Sequence, residues 1–165
     1  MGIDRGTPEG LKAHREMIAR VAQPGRVAWI GLRPARLAES VAVARVAVGE
    51  AGREGDHGRS GPRAVTLFQH EHLAAVGGFL GRAPVAPDVL RRNLVVGGIN
   101  LSALKDRPLR VGAAVVRITG VCAPCSRMEA ALGPGGYAAL RGHGGWCAEV
   151  VAPGEVTLGC EVRPA

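Results

Sequence analysis

The sequence predicts a mainly β protein, a small barrel or sandwich of short strands with a few short helices at its periphery. Two observations carry this. Valine-, isoleucine- and leucine-rich runs recur along the chain at short intervals, giving about seven to nine short strands. Between them, 25 glycines and 11 prolines in 165 residues break the chain too often for long helices. Strands outnumber helices and do not alternate with them, which argues against a doubly wound parallel sheet.

In chain order, Thr7-Pro8-Glu9 is a helix start, with a hydroxyl cap, a proline in the first turn and an acid at the positive end of the dipole. Leu11, Met17 and Ile18 are its candidate core residues. Arg26 to Leu32 reads as a strand ended by Arg33-Pro34. Val41 to Val48 alternates bulky and small residues and reads as one strand with a bulge. Glu50 to Gly61 is polar and glycine-rich, a long loop. Ala64 to Phe68 is a third strand, and Glu71 to Leu80 carries Leu73, Val76, Phe79 and Leu80 at helical spacing. Ala83 to Pro87 is a turn, with Asp88 capping one helical turn. Leu94 to Val96 is a short strand, and Leu101 and Leu104 mark a short helix. Pro108 to Val111 and Ala113 to Thr119 are strands parted by Gly112. Cys122 to Cys125 is a turn before a short helix, Arg127 to Leu132, closed by Gly133. Gly145 to Val151 and Glu155 to Val162 are expected to form a hairpin about Pro153-Gly154.

The length suits one domain. No run reaches the roughly 18 apolar residues of a membrane helix. The N-terminus lacks the apolar core of an export signal, so a cytoplasmic protein is expected, with no membrane partner. In a reducing compartment the four cysteines are expected to be free, metal-bound or catalytic rather than paired. The net charge of +7 comes almost wholly from arginine, since lysine occurs only at Lys12 and Lys105. The arginines are scattered, and 3% aromatic content is too little for a base-stacking platform, so nucleic acid is not the expected partner. Charge of this kind reads as a solvated surface or as a pocket that grips a phosphate or carboxylate.

Four clusters carry candidate chemistry. The first is Cys122-Ala-Pro-Cys125. Such a pair serves as a zinc half-site, a redox dithiol or two small core residues. Cys147 and Cys160, expected on opposite strands of the hairpin, make a poor second half-site. The pattern around the pair is not that of a thioredoxin. Inert packing is expected for Cys122, Cys147 and Cys160. Cys125 differs: it lies before a helix start and near Arg127, which favour a thiolate able to attack, carry sulfur or ligate a soft metal. The second cluster, Arg91-Arg92-Asn93, suits an anionic heterocycle or phosphate, or serves as exposed arginines beside a cap. The third, Gly55-Asp56-His57-Gly58, reads as an acid/base pair or a turn. The fourth is Arg63, at a strand start, with His70 and His72 after it; the histidine spacing does not fit a helical metal site, so ordinary roles are expected.

The succession of these segments resembles the MOSC domain, the module found at the C-terminus of molybdenum-cofactor sulfurases. The resemblance runs from Gly31-Leu-Arg-Pro34 through Gly55-Asp56-His57, Arg63 to Leu67, Leu90 to Leu101, and Leu109 to Gly112. It closes on Thr119-Gly-Val-Cys-Ala-Pro-Cys-Ser-Arg-Met-Glu129 and the segment from Gly144 to Val162. It covers residues 26 to 163, leaving residues 1 to 25 as a helical N-terminal extension. It implies a MOSC-type β-barrel and a role in molybdenum-cofactor (molybdopterin) chemistry. The thiol that ligates molybdenum or carries sulfur in the family falls on Cys125. Arg63, Arg92 and Asn93 would hold the pterin's phosphate and ring, joined by Arg127 and His57. The function so implied is a molybdenum-cofactor-binding protein. The alternatives are a small reductase of N-hydroxylated substrates with an external electron donor, and a basic nucleic-acid-binding barrel. Whether the protein is an enzyme stays open between an oxidoreductase and a sulfur transferase. An electron-donor or sulfur-donor protein would be its partner. Pyridoxal phosphate binding accompanies the family, but no pyridoxal-phosphate sulfurase domain is present in these residues. Cys160 stands where the family often has an acid.

Overall fold

The computed structural model describes residues 2–56 and 60–165. His57 lies outside the described residues. Three strands of alternating apolar pattern start the architecture. In β5 (Val65–Gln69), Val65 and Leu67 point to one hydrophobic cluster and Phe68 to another. In β6 (Leu94–Gly97), Leu94 and Val96 join the first and Val95 the second. β1 (Gly25–Leu32) buries Val27 and Ile30 in the first cluster. Successive side chains on a strand face opposite ways, so this pattern demands cover on both sides.

The remaining strands close the sheet on itself. β7 (Pro108–Val111), β8 (Ala114–Val121), β9 (Trp146–Ala152) and β11 (Glu161–Pro164) complete the order β1-β11-β7-β8-β9-β5-β6, and β6 pairs back to β1. Among the described residues this is a seven-stranded barrel, lined by the first cluster. β2 (Val41–Ala42) pairs with β1 outside the ring. β3 (Arg45–Gly49), β4 (Gly52–Arg53) and β10 (Gly154–Thr157) form a small second sheet. α2 (His70–Phe79), α3 (Ser126–Leu132), α4 (Gly136–Leu140) and a 3-10 turn at Pro87–Leu90 cover the outer cluster. No helix of the described residues is long and apolar enough to cross a membrane.

The β5–β6 pair is parallel while the other pairings are antiparallel. A parallel pair needs a crossover, and α2 with the 3-10 turn supplies it. Because β5 and β6 run the same way, the residues that lead into them lie at one end of the barrel. That places Arg63 to Thr66 beside Arg91 to Asn93.

Three expectations need correction. α1 (Pro8–Ala19) forms, with Thr7 Oγ1 accepting from Gly10 N at 3.0 Å and Pro8 in the first turn. However, Leu11, Met17 and Ile18 are exposed, because the local start signals write the helix and nothing in the barrel packs over it. Val41 to Val48 is two strands rather than one bulged strand. The chain turns at Val43, whose N–H donates to Ile30 O at 3.0 Å, so β2 extends the barrel sheet and β3 belongs to the second. The C-terminal hairpin does not form: β9 pairs with β5 and β8, β10 with β3, and β11 with β1 and β7. Proline and glycine here mark a crossing rather than a turn back. Gly154 passes so close over β8 that a Cβ on it would lie 2.3 Å from Ala113 C and 2.5 Å from Ala114 N. In addition, α4 forms shortly after Gly133, in a stretch for which the sequence predicts no element.

Backbone cannot move aside as a flexible side chain does. Gly154→Ala is therefore expected to lower the unfolding free energy by roughly 2 kcal/mol, read from urea melts with an unchanged m-value. A variant as stable as the parent contradicts the crossing.

Candidate functional site

The loops at the end of the barrel that holds the lead-ins to β5 and β6 enclose a cavity of about 360 Å³. Six arginines of the described residues line it: Arg33, Arg53, Arg63, Arg91, Arg92 and Arg127, against one acid, Asp56. Asn93, Cys122 and Cys125 line it as well. Cys125, Arg63, Arg92, Asn93 and Arg127, singled out from the sequence, are thus brought together. His70 and His72 lie elsewhere. His72 stacks edge-on against His143 at 4.6 Å, and burial followed by the His143 charge holds it below the usual imidazole range.

Arg92 is buried, at 8% exposure, and its guanidinium is a clamp. Nε donates to Gly144 O at 2.8 Å, Nη1 to Leu90 O at 3.0 Å and Nη2 to Cys122 O at 3.3 Å. Three separate loops are tied to one planar cation. Gly144 makes the approach possible, since a Cβ there would sit 2.6 Å from Cys122 O. Arg91, just before it, takes the left-handed conformation at φ 55°, which turns the chain out of the 3-10 turn towards β6. Asn93 Oδ1 accepts from Thr66 N at 2.7 Å. That fixes the amide's orientation and leaves its NH2 as the donor it can offer to the cavity.

Arg53 and Asp56 form an ion pair whose side chains are 1% and 0% exposed. Arg53 Nη1 also donates to Gly31 O at 3.0 Å, and Asp56 Oδ1 accepts from Arg33 N at 2.7 Å. Burial pulls the Arg53 guanidinium down to about 10, against the pull of Asp56. Of the two readings of this segment, an acid/base pair or a turn, the first does not hold for Asp56: its carboxylate is committed to Arg53 and the Arg33 backbone. Nε of Arg53 and Nε of Arg33 are buried with no hydrogen-bond partner among the described residues. Arg91 is held below the usual guanidinium range by burial, then by Arg33 and Arg127, with Cys125 opposing. These are cations crowded together on one wall, the state an incoming anion relieves.

Cys125 is the N-terminal cap residue of α3. It uses only its carbonyl, which accepts from Met128 N at 2.9 Å and Glu129 N at 3.2 Å. The thiol makes no capping bond and is exposed. Cys122 and Cys147 are buried, as packing residues are, but a charge stands beside them. They lie side by side with Arg63 against both. A hydrogen bond from Cys122, with Arg63 assisting against burial, pulls the Cys147 thiol down to about 6, and Cys122 is pushed up in turn. No local signal in the sequence specifies the pairing of β8 with β9 that brings them together. Arg53 was also missed, because nothing in the polar Glu50 to Gly61 stretch distinguishes a buried arginine from a solvated one. Among the described residues no three His, Cys, Asp or Glu side chains gather as a metal site.

The protein is thus a closed barrel with a cation-rich cavity at one end and an exposed thiol in the cavity's lining. The MOSC domain family model matches residues 54–163, and the chain belongs to that family. Solved structures agree on the fold. The YuaD protein from Bacillus subtilis superposes with a TM-score of 0.73 at 16% identity, over 85% of this chain and 94% of that one. YiiM from Geobacillus stearothermophilus gives 0.71 at 21% identity, over 86% and 75%. YiiM from Escherichia coli gives 0.65 at 23% identity, over 85% and 69%. No curated protein matches the sequence significantly.

Two outcomes are expected from this geometry. Asp56→Asn strands the Arg53 charge and should cost about 3–5 kcal/mol of stability in denaturant melts; a neutral effect would mean the pair is solvated. In a Cys125→Ser, Cys160→Ser background, thiolate ultraviolet absorbance should begin to rise well below the free-thiol range, from Cys147. The onset should move to higher pH on adding Arg63→Gln; a rise confined to the free-thiol range of about 8.5 without that change contradicts the pairing.

Proposed function

We propose that this protein binds the molybdenum cofactor in the arginine-lined cavity, with the Cys125 thiol as its ligand to the metal. The observation that carries the reading is the meeting, in one cavity, of an exposed unbonded thiol with six arginines. The residues present fit such a group. The cavity volume falls in the range of small-ligand sites. The unpartnered guanidinium nitrogen on Arg33 is a donor in search of an acceptor, which a phosphate-bearing pterin supplies. A thiolate is a soft donor suited to a soft metal.

Arg33, Arg91 and Arg127 would hold the anionic portion, and the Asn93 NH2 would meet a ring acceptor. Arg92 would act through the loops that it ties and through its charge. Bound molybdenum supplies two-electron redox and oxygen-atom chemistry. The chain's own part is to bind the anion, to keep the thiol at the rim and to exclude bulk water from the Asp56 side of the cavity, where the Arg53 pair is sealed. Convergence of the arginines into a cavity, rather than along a groove or helix face, favours a small anion over nucleic acid. Free thiols suit a reducing, cytoplasmic setting.

The exposure of Cys125 favours a second reading, a sulfane-sulfur carrier served by a sulfur-donor protein. The same accessibility would serve an electron-donor protein in a reductase of N-hydroxylated compounds. Metal and pterin analysis of protein made in a cofactor-competent host separates these. Stoichiometric molybdenum and pterin, with the metal lost in Cys125→Ser, is the expected result. A persulfide on Cys125 without molybdenum selects the carrier reading. Neither species, with the variant indistinguishable from the parent, overturns both.

A further inference from the structure

Cys122 and Cys147 are nucleophilic groups at the site that cofactor binding does not employ. Cys122 lines the cavity at 6% exposure, and Cys147 lies behind it at 4%. Their strands place them on one face of the sheet. Val121 pairs with Trp146 and Gly120 with Cys147, while Cys122 N donates to Gly145 O at 2.9 Å. Cys122 and Cys147 are therefore diagonal cross-strand neighbours on one face of the sheet, and each thiol is the first influence on the other's ionisation. The residue opposite Cys147 is Gly120, and a Cβ built on it would meet nothing within 4 Å. That open space leaves the two sulfurs free to approach each other. Arg63 stands against both. A guanidinium beside two thiols opposes a bound cation and favours a thiolate, so the pair suits sulfur exchange rather than a metal.

We propose that Cys122 and Cys147 form a dithiol exchange centre at the floor of the cavity, which takes carboxylate-bearing low-molecular-weight disulfides as substrates. The arginines of the wall attract the carboxylates, and Cys122 is the thiol of the pair that the cavity reaches. The pair holds one shared proton and one negative charge. In the first step Cys122 passes its proton to the Cys147 thiolate as its sulfur attacks one sulfur of the small disulfide; a Cys122–small-thiol bond forms, the small disulfide's S–S bond breaks, and one small thiolate leaves. In the second step that thiolate takes the Cys147 proton, and Cys147 attacks Cys122 Sγ. The Cys122–Cys147 bond forms and the second small thiolate leaves. The two protein sulfurs are oxidised together and the small disulfide is reduced, with no other reactant. Arg63 stabilises the thiolate at each stage and loses its anionic partner when the bridge closes.

The test uses the cofactor-free protein, so its result does not depend on molybdenum binding. Incubation with oxidised glutathione, acid quench, alkylation and peptide mapping are expected to show a Cys122–Cys147 bridge. The protein mass should fall by about two units with two equivalents of glutathione released. Cys147→Ser is expected to stop at glutathione on Cys122, with one equivalent released. Glutathione confined to Cys125 or Cys160, a Cys122–Cys125 bridge, or recovery of Cys122 and Cys147 both alkylated would overturn the proposal. The wild-type map decides it even if the variant does not fold.

Discussion

The Arg92 guanidinium is the interaction on which the site depends. Without it, the turn at Leu90, the loop at Gly144 and the Cys122 strand end would each present a carbonyl with no shared anchor. A planar cation with donors in a fixed fork satisfies three such oxygens in set directions, which the rotatable ammonium of a lysine would not impose. The same contact sets the walls of the cavity, since each tied segment contributes to its lining or stands directly beside it. Barrel closure brings these segments to one end, and Arg92 converts nearness into a fixed geometry.

That fixed geometry explains how so many like charges share a small volume. Arg92 donates to backbone oxygens and Arg53 is neutralised in place by Asp56, so neither needs a ligand for its charge to be tolerated. The remaining arginines crowd one another, and Arg91 is depressed by burial first and then by Arg33 and Arg127. Part of the cation set is therefore structural and part is held ready. The thiols divide in the same manner. Cys125 is exposed, while Cys122 and Cys147 are buried beside Arg63.

The β-rich class, most strand positions, the capped N-terminal helix and the convergence of Arg63, Arg92, Asn93, Cys125 and Arg127 were legible in the sequence. They rest on local signals: alternation, caps, turn residues and a run of motifs in fixed order. What stayed hidden depends on contacts distant in sequence. Pro153-Gly154 looks the same whether a chain folds back or passes closely over another strand, and only the packing of Gly154 on Ala113 decides between them. The nearness of Cys122 to Cys147 rests on the pairing of β8 with β9, which no local signal in the sequence specifies. Arg53 sits among glycines and acids with no periodic pattern, so its burial against Gly31 and Asp56 leaves no trace in composition.

The central claim is that the arginine-lined cavity receives an anionic molybdenum cofactor at the Cys125 thiol. Crystals of the protein supplied with that cofactor, measured at the molybdenum absorption edge, test it most directly. The account predicts a single anomalous peak at bonding distance from Cys125 Sγ, with pterin phosphate density against the arginine wall. A peak outside this cavity, or none in protein offered the cofactor in excess, would contradict it.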